Sequence, residues 1–317
     1  MAKYVIPGGT GPVGHVLRRA LAAAGHEVVV LSRRPDGAPG TLPWDGRTVS
    51  DWARALDGAD VVVNLAGRSV TCRYTKANVA EMLRSRVDST RAVGRAIAAA
   101  ARPPRAWLQM STATIYAHRF DAANDEVDGR IGGDEPDAPA YWRTSVDIAR
   151  AWEAAQAEAE TPTTRKVALR TAMVMSPDRG SVLDVLCGLA RRGLGGAIAG
   201  GRQYMSWIHE RDFVRAVLFL ADRGDLEGPV NLAAPVPLPQ RAFMTALRDA
   251  LGVRVALPAA AWMVQIGALF LRTDTELVLK SRRVIPGRLT AAGFAFEFPE
   301  WPAAARELVG RRSAPGA

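Results

Sequence analysis

The chain has 317 residues, a formal net charge of +9 and 48% hydrophobic residues, enough for one or two domains around a real core. Its basic residues are scattered rather than gathered with aromatics on one stripe, which speaks against a nucleic-acid surface. Two distant cysteines, Cys72 and Cys187, exclude a disulfide scaffold, and the isolated His15, His26, His118 and His209 leave no metal site to expect.

The first segment reads as a strand, Tyr4-Val5-Ile6-Pro7, a glycine-rich turn from Gly8 to Gly14, and a helix from His15 to Ala24. A second strand, Glu27 to Leu31, runs into Ser32-Arg33-Arg34. This is a dinucleotide-binding fingerprint in its required context. Gly8, Gly11 and Gly14 let the backbone approach a pyrophosphate, whose charge the helix amides hold, with Thr10, Pro12 and Val13 between them. Pro7 removes one amide from that turn, whereas Pro12 falls in a first helical turn that tolerates it. An NAD site places an acid about 20 residues past the glycines. Arg33 and Arg34 stand there instead, and a guanidinium fork holds a ribose 2′-phosphate that a carboxylate would repel. The expected cofactor is therefore NADP(H); the plainer alternative is a solvated basic turn. No signal peptide is expected before the first strand, and a cytoplasmic location follows as an expectation.

Strands and helices then alternate as a doubly wound sheet requires. Trp52 to Leu56 reads as helical, and Ala59 to Gly67 as the fourth strand and its exit, with Leu65 expected at the cofactor and Ala66, Gly67 and Arg68 beneath it, since glycine there permits close backbone approach. A long amphipathic helix covers Asn78 to Ala101 and carries Arg86, a residue expected at the cofactor. Arg105 to Thr112 is a strand arriving at a polar mouth. Residues 118 to 140 form a loop long enough for a lid or substrate loop. A helix from Trp142 to Ala159 precedes a strand from Lys166 to Met175.

After Ser176-Pro177 the pattern changes. Ser181 to Arg192 and Asp212 to Ala221 read as helices, Pro229 to Ala234 as a late strand, and Gln240 to Leu308 as a mainly helical tail. Residues beyond Arg311 read as a frayed terminus. The apolar run Val255 to Leu271 is shorter than the roughly 20 residues of a membrane span and contains Pro258, so a buried or interface helix is expected. The expected fold is α/β: a doubly wound parallel (Rossmann) sheet with a smaller, mainly helical C-terminal substrate domain. Residues 1–175, with 207–234 returning, form the dinucleotide-binding part; 176–206 and 235–317 form the smaller one.

Several motifs carry a family resemblance over nearly the whole chain. They are Gly8 to Gly14, Gly58-Ala59-Asp60 with Asn64-Leu65-Ala66-Gly67, Ser85-Arg86-Val87, Ala151-Trp152-Glu153, Leu169-Arg170-Thr171 and Gly200 to His209. The tail adds Ser281 to Leu289 and Gly293-Phe294-Ala295-Phe296. The chain resembles an extended short-chain dehydrogenase/reductase, in its sugar-nucleotide-epimerase-like group with a small C-terminal domain. The resemblance implies that Thr171, Ala172 and Met173 lie near the nicotinamide, but fold and family do not by themselves give a reaction.

The resemblance implies a Ser or Thr and a Tyr followed four residues later by a Lys, whose charge lowers the phenol pKa for proton transfer. The residues four beyond Tyr4, Tyr74, Tyr116, Tyr141 and Tyr204 are Gly8, Asn78, Phe120, Ser145 and Ile208, so the couple is absent, as it commonly is in that group. Thr112 matches the hydroxyl position, or merely caps a strand end. Tyr116 and Tyr141 are substitute phenols or packed side chains, and His118 is a candidate acid/base or a solvated loop histidine. Trp207 reads as core and His209 as a packed histidine. Two functions remain open. One is an NADP(H)-dependent oxidoreductase or epimerase acting on a small organic substrate, as a monomer or homodimer. The other is a non-catalytic NADP(H)-binding or sensing protein.

Overall fold

A computed structural model describes residues 1–35, 37–136, 138–260 and 275–313. The strands in chain order are β1 (Lys3–Pro7), β2 (Glu27–Ser32), β3 (Thr41–Pro43), β4 (Val61–Asn64), β5 (Ala106–Thr112) and β6 (Arg165–Thr171). Then come β7 (Met173–Met175), β8 (Tyr204–Met205), β9 (Trp207–His209), β10 (Gly228–Leu232) and β11 (Leu238–Pro239). The main sheet has seven strands in the order β10-β6-β5-β4-β1-β2-β3, every neighbouring pair parallel. Parallel strands covered on both faces read as continuous apolar runs, and Val61, Val62 and Val63 of β4 are all fully buried.

Helices α1 (Pro12–Ala23) and α5 (Glu210–Asp222) cover one face, α2 (Lys76–Ala98) and α3 (Arg143–Ala157) the other. On the first, Leu17, Leu21, Phe213 and Val217 pack with Tyr4, Ile6, Val63 and Leu108. On the second, Val93 and Ile97 pack with Val5, Val62 and Trp107. Strand order reverses between β1 and β4, and a crevice opens outside the carboxyl ends of the strands at such a switch point.

The segment 166–175 is not one strand. Ala172 donates its amide to Leu232 O at 3.0 Å, and the chain then leaves the main sheet. Met173–Met175 pairs with Trp207–His209 instead. A second core gathers there from α4 (Val182–Arg191), α6 (Gln240–Leu251) and the helix Trp301–Ser313. Trp301 stacks on Phe243 at 4.0 Å and meets Trp207 edge-on at 5.0 Å. Trp207 and His209 are fully buried, the latter hydrogen-bonded to Glu307 at 3.0 Å.

The chain just beyond Arg311 is not frayed: the last helix reaches Ser313, and Arg312 donates to Asp184 at 2.5 Å and to Pro177 O at 3.1 Å. Residues 314–317 lie outside the described residues. The apolar run from Val255 starts without a helix, Val255 and Leu257 being exposed, and its part from 261 onward lies outside the described residues. Among the described residues no helix is long and apolar enough to cross a membrane.

Candidate functional site

The crevice is a cleft of about 1240 Å³ along the carboxyl edge of the sheet. Its floor is the turn between β1 and α1. Gly8 has φ +79°, and a Cβ there would fall 2.7 Å from the Cα and N of Ala66. At Gly14 it would fall 2.5 Å from the carbonyl of Gly9. Those two glycines close the turn on itself and on the end of β4. Gly11 differs: its Cβ would meet only Gly8 O at 3.7 Å, so its open side faces the cleft. The turn ends at the α1 N-terminus, where Gly11 is the N-cap without any side-chain cap, leaving amides and a positive dipole end toward the cleft. This cradle fits a diphosphate.

At one end of the cleft, Ser32 Oγ lies 3.0 Å from Thr10 Oγ1 and receives the Arg34 amide at 3.1 Å. That bond pins the turn carrying the exposed Arg33 and Arg34. Arg47, Arg68 and Arg84 line the same region beside Asp45, Glu81 and Asp88; the hydrogen bond from Arg84 holds the Glu81 carboxyl below its usual range, with Arg68 and Arg33 adding to it. A cluster of this kind suits a phosphate. The exit of β4 is set by Asn64, whose Oδ1 accepts the Ala66 amide at 3.1 Å while its Nδ2 donates to Gln109 at 2.9 Å. Arg86, in the wall beside Gly67, is buried; burial pulls its guanidinium down to about 10. Its Nη1 donates to Met82 O at 3.0 Å.

Every residue expected to hold the dinucleotide lines this one cleft: Gly8, Thr10 to Gly14, Ser32 to Arg34, Leu65 to Gly67, Arg86 and Thr171. The four candidates for chemistry divide. Thr112 lines the cleft, its Oγ1 accepting the Thr114 amide at 3.1 Å. Tyr116, His118 and Tyr141 do not. Tyr116 is buried behind β5, donating to Asn231 at 2.9 Å and accepting from Arg170 at 3.0 Å, and burial pushes its phenol up. His118 Nδ1 accepts the Ser281 amide at 2.7 Å, with its ring edge-on to Trp142 and Phe120. Tyr141 is 45% exposed and its hydroxyl meets Thr275 at 2.6 Å.

The loop 118–140 is likewise no lid, since none of its described residues lines the cleft. Glu135 accepts the amides of His118 at 2.6 Å and Gly133 at 2.7 Å, and the Asn124 amide donates to Arg283 O at 2.7 Å. Its polar groups thus close the loop on itself and fasten it to the C-terminal segment, where the Ile285 amide also donates to Asn124 O at 2.9 Å. What the sequence reading missed at the cleft are Thr114 and Ser145. Behind them lie Glu276 and Lys280, both buried. The available signal was an acid and a lysine four apart around Leu277-Val278-Leu279.

The model of the NAD dependent epimerase/dehydratase family matches residues 4–233, and a domain of unknown function, DUF1731, matches residues 259–308. The chain is 34% identical to the epimerase family protein SDR39U1 of Bos taurus over 97% of this chain and 99% of that protein. The crystal structure of human epimerase family protein SDR39U1 (isoform 2) with NADPH superposes with a TM-score of 0.85 at 31% identity, covering 97% of this chain and 99% of that one. A nucleoside-diphosphate sugar epimerase structure from Corynebacterium glutamicum gives 0.74 at 27% identity, covering 98% of this chain and 58% of that one.

Proposed function

Because the chain belongs to the NAD dependent epimerase/dehydratase family, we propose that it binds NADP(H) in this cleft and acts as an oxidoreductase or epimerase on a small organic substrate. The observation that carries the proposal is the convergence of the glycine cradle, the Arg33–Arg34 turn and Thr171 on one cleft. The turn Gly8 to Gly14 would hold the diphosphate, Arg33 and Arg34 the 2′-phosphate, and the ends of β5 and β6 would face the nicotinamide. A nicotinamide bound there supplies or accepts a hydride. The chain contributes hydroxyls at that end, Thr112, Thr114 and Ser145, which orient a carbonyl or alcohol oxygen. Residues 176–206 and 235–317 shape the substrate end.

A second reading, binding of NADP(H) without turnover, is favoured by one observation: both candidate phenols and the candidate histidine point away from the cleft. Calorimetric titration with NADPH and NADH tests the shared premise. NADPH is expected to bind more tightly, and the preference to vanish in Arg33→Ala/Arg34→Ala. Equal affinities in the wild type reject the assignment. A panel of small carbonyl and alcohol substrates, followed through cofactor absorbance, then separates the two readings.

A further inference from the structure

Outside the dinucleotide cradle, an acid–lysine pair with both side chains fully buried reaches the cleft. Ser145, in the first turn of α3, lines the cleft and donates its hydroxyl to Glu276 Oε2 at 2.5 Å. Glu276 opens the short helix Glu276–Leu279, and the Lys280 Nζ lies 3.4 Å from its Oε1. Lys280 also donates to the carbonyl of Thr114, another cleft residue, at 2.9 Å. The side chains of the pair are 0% and 1% exposed. Arg282 closes the back, donating to Thr114 Oγ1 at 3.0 Å and to the Glu276 carbonyl at 3.2 Å.

We infer that Ser145, Glu276 and Lys280 form a proton relay that opens on the cleft, with Ser145 touching the substrate oxygen and the buried pair acting through it. The inference rests on the oxidoreductase reading above. Among the described residues Thr112 has no ionisable partner, and Ser111 donates to Glu153, whose two oxygens are both held by Arg170; Ser145 meets an acid paired with a lysine, as a hydroxyl needs if it is to pass a proton. A buried ion pair adds little stability over an apolar substitute, so holding the tail in place does not require one.

The groups facing the pair set its protons. Among the described residues Glu276 faces Ser145, Lys280 and Arg282; burial raises its carboxyl, against the pull of the two cations. Lys280 faces Glu276, Arg282 and, further off, Glu135; burial lowers its ammonium, against the pull of both acids. Tyr74 acts on Arg282 from the cleft side. The two titrations move toward each other, so Glu276 and Lys280 titrate as a coupled pair.

In the oxidising direction a substrate alcohol gives its proton to Ser145 Oγ while Ser145 gives its own to the Glu276 carboxylate. The C–H pair leaves as hydride to an oxidised nicotinamide dinucleotide, and the C–O bond becomes C=O. In reduction the same bonds re-form in reverse: hydride adds at carbon, the oxygen takes the Ser145 proton, and Ser145 takes one from the Glu276 carboxyl. Lys280 then compensates the carboxylate until solvent returns the proton through the cleft.

Infrared spectroscopy of the full chain, free and with NADPH, tests this. The wild type should show a protonated-carboxyl stretch that persists above the ordinary carboxylate range and exchanges its proton in D2O. Glu276→Gln removes the band, and Lys280→Met moves its disappearance to higher pH, since a cation is lost. Ser145→Ala slows the exchange and lowers hydride transfer by about 100-fold, while NADPH affinity stays unchanged; Ser145→Thr, which keeps the hydroxyl, restores the exchange. A missing band, or exchange as fast in Ser145→Ala as in the wild type, overturns the relay. A wild type that binds no NADPH overturns the oxidoreductase reading instead, and the exchange of the free protein still decides whether Glu276 communicates with the cleft through Ser145.

Discussion

The guanidinium carbon of Arg86 lies 4.8 Å from the centre of the Trp152 ring, α2 meeting α3 directly beneath the exit of β4. Gly67 permits the contact, since a Cβ there would come within 3.3 Å of that guanidinium. Among the described residues no carboxylate pairs with Arg86, and burial dominates the depression of its guanidinium. A buried cation without a counter-charge costs stability until an anion arrives.

Arg86→Met should therefore leave the free protein at least as stable as the wild type, because Met retains volume without charge. Its NADPH affinity should fall by about 2 kcal/mol, the worth of a hydrogen bond to a charged group. Calorimetry with and without NADPH checks both. An unchanged affinity would make Arg86 a wall residue rather than a ligand.

The glycine turn separates folding from binding. Gly11→Val should fold normally, since its Cβ has room within the protein, yet lose thermal stabilisation by NADPH because the side chain occupies the cleft. Gly14→Ala drives a methyl into the Gly9 carbonyl, and should cost about 1–3 kcal/mol in chemical denaturation even without cofactor. If Gly11→Val still responds to NADPH, the dinucleotide lies elsewhere.

Among the four candidates for chemistry, only Thr112→Ala should slow single-turnover hydride transfer. Tyr116→Phe leaves Asn231 and Arg170 each short of a partner and should lower stability by about 1–3 kcal/mol without changing the chemical step. His118→Ala and Tyr141→Phe should retain the wild-type rate. A rate defect in any of these three, with NADPH affinity intact, would contradict their placement outside the cleft.

His209 should make stability depend on acid. Burial lowers its pKa below the usual 6.5, despite the opposing Glu307, so the unfolded chain binds the proton more readily than the folded one. The contribution of neutral His209 is complete above the unfolded pKa and is lost as the pH falls from there toward the folded value. His209→Asn, which can still cap α5, should flatten the fall in denaturation midpoint below pH 6.5. An unchanged slope would assign the acid lability to other groups.

The amino-acid sequence by itself determined the parts whose cause is local. The turn Gly8 to Gly14, the arginines after β2 and the apolar runs of the parallel strands depend on neighbours a few residues away, and so could be read without a structure. The three residues of Thr41–Pro43 are too short for a pattern, and the break at Ala172 arises because the chain finds a new partner strand near residue 207. Tyr116, His118 and Tyr141 had the right chemistry near the right strand, but their hydrogen bonds to Asn231, Ser281 and Thr275 turned them away from the cleft. Only the tertiary structure decided that Ser145 would meet Glu276, 131 positions along the chain, and that Lys280 would reach Thr114 across 166. Hydrogen bonds between such distant residues leave no periodicity in sequence; they exist only once the C-terminal segment has docked and burial has removed the water that would otherwise satisfy those groups.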